Sequence, residues 1–158
     1  RYPGVGYHQR VKPETLTGRR RYEARDRAEA DVRRLWSLDI TSVVIENPIG
    51  TLSTRWQRPS QVIQPYWFGD DASKATCLWL RNLPNLEPTN RVPGRLVEWP
   101  RGSGKTVERW SNQTDSGQNN LTPGTDRWKE RSATYPGVSA AFASQWVPYL
   151  TNATRRAV

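Results

Sequence analysis

Methionine is absent from this 158-residue chain, and cysteine and histidine occur once each, as Cys77 and His8. One cysteine excludes an internal disulfide, and one cysteine with one histidine excludes a typical structural zinc site. The chain also lacks a run of about twenty apolar residues, so it offers no transmembrane helix, and the start Arg1-Tyr2-Pro3-Gly4 lacks the apolar core of a signal peptide. A soluble, intracellular protein is the expectation. Acidic residues are in short supply: 15 Asp plus Glu stand against 24 Lys plus Arg, a formal charge of +9. That balance points to a polyanionic partner, nucleic acid first, with an ordinary solvated basic face as the plainer alternative. With Arg1 at its start and no methionine anywhere, the sequence reads as a fragment of a longer product.

The most informative stretch that is present is Val43-Val44-Ile45-Glu46-Asn47-Pro48. Three β-branched residues favour a buried strand, and Pro48 removes a backbone donor and stops it, so Glu46 and Asn47 stand at its carboxyl end. Ligands of open α/β sheets bind there. A strand-end carboxylate paired with one of the many arginines is the competing reading, and both stay open.

Ahead of this strand, residues 1–18 read as a basic arm, and Arg19 to Leu38 as an amphipathic helix with Ala24, Ala28, Val32, Leu35 and Trp36 on its apolar stripe. The stripe is expected to pack on the sheet, while Arg19, Arg20 and Arg21 are candidates for phosphate contact or for a solvated face. After the strand, Arg55, Trp56 and Arg58 mix guanidinium groups with an aromatic ring, a composition that grips phosphates and stacks on bases, or simply anchors a loop.

Gln61-Val62-Ile63 reads as a short strand ahead of a turn, and Lys74 to Leu80 as a second core strand with Thr76, Leu78 and Leu80 on one side and Cys77 and Trp79 on the other. A mid-strand Cys77 is expected to be an inert buried thiol. An extended piece follows near Arg95 to Trp99. Residues 101–127 are polar and glycine-bearing and read as a long surface loop. Within them Gly104-Lys105-Thr106 imitates a P-loop, but Trp99 occupies the position where that motif needs its first glycine. Asp126 to Ser132 reads as a charged turn or helical segment. Val138, Ala141, Phe142 and Trp146 form one stripe of a closing helix that Pro148 is expected to stop, leaving 151–158 as a frayed tail.

Five motifs in this order, Ile45-Glu46-Asn47-Pro48, Gln61-Val62-Ile63-Gln64-Pro65 with Phe68-Gly69, Lys74 to Leu80, Asp126 to Ser132, and the Tyr135-Pro136-Gly137 helix, resemble phage and prophage DNA cytosine methyltransferase-like proteins. The resemblance covers most of the chain, from about residue 7 to residue 147. It implies an α/β fold, a partial Rossmann-like methyltransferase sheet with flanking helices and long polar loops, in 1–158 as a single domain or the carboxyl-terminal portion of one. It implies DNA as partner, S-adenosyl-L-methionine as cofactor, no membrane, and a cytoplasmic setting in a bacterial or phage-infected cell.

In cytosine-5 methyltransferases a Pro-Cys cysteine attacks a flipped-out cytosine while a glutamate holds the ring's N3 edge. The resemblance gives that glutamate's role to Glu46, with Asn47 fixing the loop. Upstream of Glu46 there is no Pro-Cys element and no glycine-bearing strand–turn–helix for the cofactor. The chain is therefore similar to the carboxyl-terminal part of such a protein, incomplete for catalysis alone and completed by an upstream segment or a second chain. A non-catalytic basic module that binds nucleic acid through charge is the alternative.

Overall fold

A computed structural model describes residues 15–121 and 132–156. The chain divides into two compact units, Arg1–Asp39 and Ile40–Val158. Helix α1, Gly18–Trp36, belongs to the first. Its exposed face carries i,i+4 pairs, Arg19 with Glu23 at 2.7 Å and Arg33 with Glu29 at 2.8 Å, each worth a few tenths of a kcal/mol, about 0.3–0.5. Arg33 and Arg34 in the last turn suit the negative end of the helix dipole. The stripe expected to be buried is not: no residue of α1 is buried, because two of its members are alanines with little area to cover and arginines flank the rest.

The second unit is mixed helix and strand, broadly α/β, with small antiparallel sheets. Strands β1 (Val43–Pro48), β2 (Gln61–Ile63) and β3 (Thr76–Arg81) form a three-stranded sheet in the order β1-β3-β2. Both outer strands run antiparallel to β3 and therefore parallel to each other. A one-turn helix α2, Leu52–Arg55, lies between β1 and β2, and a 3₁₀ turn, Pro65–Trp67, follows β2. Strands β4 (Arg95–Glu98) and β5 (Thr106–Arg109) make a separate antiparallel hairpin. Helix α3, Pro136–Arg156, closes the chain. Among the described residues no helix is long and apolar enough to cross a membrane.

Strand alternation sorts the sheet's residues onto two faces. Register places Glu46, Leu78 and Gln61 in one row and Pro48, Thr76 and Ile63 in the next, all on one face. Helix α3 covers the β2–β3 part of that face, joining Val138, Ala141 and Trp146 to Ile63, Leu78, Phe68 and Leu86 in one core cluster, while Glu46 and Pro48 on β1 stay exposed. The stripe read from sequence is the face that packs. On the opposite face Trp79 is fully buried, its indole N–H donates to the Gln57 carbonyl at 2.9 Å, and Trp56 lies 5.8 Å away ring to ring. Cys77 shares this face and is buried as expected.

Loops are bolted to this core by side-chain amides that each bond both backbone groups of one residue. Gln61 donates to the Leu86 carbonyl at 2.8 Å and accepts from its N–H at 2.9 Å. Asn112 does the same with Ser73 at 2.9 Å for both bonds, and Gln145 with Glu87 at 2.8 and 2.9 Å. Each clamp satisfies a donor and an acceptor that strand pairing leaves unmet.

Two further expectations are corrected. The stretch 101–127 is not all loop: it contains β5, followed by the buried Trp110 stacked 3.7 Å from Tyr66. A single apolar residue, Val107, gives that strand too weak an alternation to see in sequence. Pro148 does not stop α3, which continues to Arg156 and takes in much of the segment expected to fray. Proline removes one intrahelical bond, and the Thr151 hydroxyl donates to the Val147 carbonyl at 2.9 Å just beyond it. The arm at 1–14 and the charged segment at 126–131 lie outside the described residues.

Candidate functional site

Glu46 lines a cavity of about 200 Å³ on the α3 side of the sheet. Ile63, Pro65, Val138 and Phe142 give it apolar walls, and Lys74, Thr76, Thr134 and Tyr135 add polar groups. β1 brings Glu46 to the rim, β2 and β3 supply the floor, and the start of α3 supplies the far wall. Among the described residues the Glu46 carboxylate has no hydrogen-bond or ion-pair partner, so the arginine-paired strand end considered from sequence does not form there.

Tyr135 stands across the cavity. Burial pushes its phenol above the ordinary value; the hydrogen bond from Asn112 Nδ2, 3.5 Å away, works the other way, and the charge of Asp70 adds to the rise. The hydroxyl therefore stays protonated well past neutral pH and keeps a proton to donate. Lys74 Nζ lies 5.9 Å from the same ring's centroid.

Close backbone approach fixes the far wall. The Gly137 N–H donates to Asp70 Oδ2 at 3.0 Å, and a Cβ on Gly137 would stand 1.9 Å from the Phe68 carbonyl oxygen. The Phe68-Gly69 turn and the Tyr135-Pro136-Gly137 helix start, far apart in sequence, are thus pressed together, with the Asp70 carboxylate on the Gly137 N–H in the first turn of α3, where the dipole favours it.

The other candidates lie elsewhere. Asn47 points to the opposite face from Glu46 and donates to the Pro48 carbonyl at 2.9 Å, bracing the turn that leaves β1. Trp56 is half-buried against Trp79, also across the sheet from the cavity, while Arg55 and Arg58 are exposed beside it. Arg19, Arg20 and Arg21 are exposed on α1 in the first unit. Gly104-Lys105-Thr106 leads into strand β5 rather than a helix, so it has no P-loop geometry.

Sequence reasoning missed Lys74, Thr76 and Tyr135 as cavity residues. Their only signal was membership of the five motifs, since nothing in local spacing says that the start of α3 lines the same cavity as Glu46. Among the described residues no cluster of three metal-ligating side chains occurs. Nor do they offer a cradle for S-adenosylmethionine: β1 leads through Gly50 into α2, a helix of four residues with too few N–H groups to hold one. Comparison with protein-family models, with curated proteins and with solved structures found no match for this chain.

Proposed function

We propose that this chain supplies the base pocket of an S-adenosylmethionine-dependent DNA cytosine methyltransferase-like protein. The observation that carries the reading is an unpartnered carboxylate, Glu46, at the rim of a small, mainly apolar cavity. Drug-sized ligands occupy about 300–1,000 Å³, so a space of about 200 Å³ suits one flat ring rather than a whole nucleotide. A flipped cytosine enters with its ring against Phe142 and Ile63, and Glu46 holds its N3 edge. Tyr135, kept protonated, donates to a ring acceptor, and Glu46, exposed on β1, meets the base from the rim. Cys77 lies buried on the other face of the sheet and takes no part.

The partial Rossmann-like sheet belongs to the same proposal. β1 and β2 run parallel with β3 reversed between them, as in otherwise parallel sheets that carry an antiparallel strand near one edge. The outer edge of β1, unpaired among the described residues, is where further parallel strands would join. Cofactor and nucleophile then come from an upstream segment or a second chain.

The test is methyl transfer to duplex DNA by the full polypeptide. Glu46→Gln keeps shape and removes charge. It is expected to lower turnover by about 10²-fold or more while DNA affinity changes little. Unchanged turnover sinks the assignment and leaves a non-catalytic basic module that grips DNA, a reading favoured by the net charge of +9.

A further inference from the structure

We propose that the β4–β5 hairpin is a DNA-reading ribbon whose tip, Trp99 to Lys105, docks in a groove of duplex DNA. The hairpin is a two-stranded unit outside the main sheet. It exposes apolar surface that a solvated ribbon has no use for: Leu96 is 73% exposed and Trp99 38%. Beside them Arg101 and Lys105 are exposed and, among the described residues, have no ion pair. Lower on the ribbon the arginines are engaged, Arg91 with Glu108 and Arg95 with Asp115 at 2.7 Å. Positive charge is thus neutralised at the base and left available at the tip, on a chain of net charge +9.

The tip is also preorganised. The Trp99 N–H donates to the Lys105 carbonyl at 2.9 Å, the Ser103 N–H to the Pro100 carbonyl at 3.1 Å, and the Gly104 N–H to Glu98 Oε1 at 2.7 Å. Gly102 and Gly104 sit at φ of +80° and +70°, which explains why Gly-Ser-Gly occupies this turn. The one carboxylate at the tip, Glu98, is tied to backbone. At the base Glu108 grips Arg91 and the Gly94 N–H, and these bonds hold its carboxyl below the ordinary range.

A two-stranded ribbon fits the major groove, guanidinium and ammonium groups suit flanking phosphates, and an exposed indole suits a base step or sugar edge. A stiff tip loses little entropy on docking. The proposal stands apart from the Glu46 pocket, because groove binding needs no base in the cavity.

Fluorescence anisotropy of a short labelled duplex, titrated with this chain across a range of salt, tests it. The Arg101→Gln/Lys105→Gln double variant is expected to weaken binding about tenfold and to lower the log–log salt slope by about two. Trp99→Ala is expected to weaken binding by about tenfold at an unchanged slope. The pocket reading is tested by methyl transfer and this one by duplex binding, so failure of one is separable from failure of the other. Full affinity in both hairpin variants, with unaltered thermal unfolding, overturns the proposal. So does a parent chain that ignores duplex at low salt or binds anionic phosphatidylserine vesicles in its place.

Discussion

Replacing Trp79 with alanine is expected to remove about 3–5 kcal/mol of stability, which is a large share of the total of about 5–15 kcal/mol available to a domain. Trp79 is fully buried in the central strand, where it fills the face opposite α3. Truncation leaves a cavity lined by Trp56 and frees the Gln57 carbonyl from its indole N–H. Neither neighbour can close the gap, because Trp56 is placed by α2 and Gln57 by the link into β2. Urea denaturation followed by circular dichroism checks this: the midpoint falls steeply at an unchanged slope. A midpoint within experimental scatter of the parent would mean that this face is not part of the core.

Gly137→Ala is expected to be nearly as damaging although it adds a single carbon. The new Cβ would meet the Phe68 carbonyl oxygen at 1.9 Å and Asp70 Oδ2 at 2.7 Å. The first obstacle is backbone, so the start of α3 must move away and give up its bond to Asp70. Overpacking of this kind costs about 1–3 kcal/mol and occasionally more, and a displacement of more than an ångström belongs at the upper end. Tyr135 and Val138 flank the glycine and line the cavity, so the same change opens the far wall of the pocket. Thermal unfolding should show the lowered stability. A variant with the parent's melting temperature would show that helix and turn do not approach so closely.

Much of this was legible before the structure, for a physical reason. β1, β2 and β3 are short runs of bulky residues in which period-two alternation survives, and both faces of β3 follow from it. The stripe Val138, Ala141, Phe142 and Trp146 likewise states which side of α3 is apolar. β1 itself was expected to be buried and is not: none of its residues is buried and the Glu46 carboxylate is exposed, because β1 is an outer strand of the sheet. What local pattern cannot carry is partnership at a distance. The reversed strand between β1 and β2, the lining of one cavity by Tyr135 and Glu46, and the pairing of β5 inside a polar stretch all depend on residues that are remote in sequence. The exposure of α1 was missed for a different reason. Its apolar stripe has the right spacing but too little area, and spacing alone does not measure area.

The amide clamps impose an order on assembly. They join residues 25, 39 and 58 positions apart, so each must wait until the sheet and α3 have brought its loop within reach, and the entropy of closing those loops falls late on the pathway. Replacing Gln61, Asn112 or Gln145 by alanine is therefore expected to hasten unfolding several-fold and to leave the refolding rate nearly unchanged in stopped-flow measurements; slowed refolding would instead place the clamp in the nucleus. Three uncharged side chains would then govern how long the folded molecule lasts, while having little say in how quickly it forms.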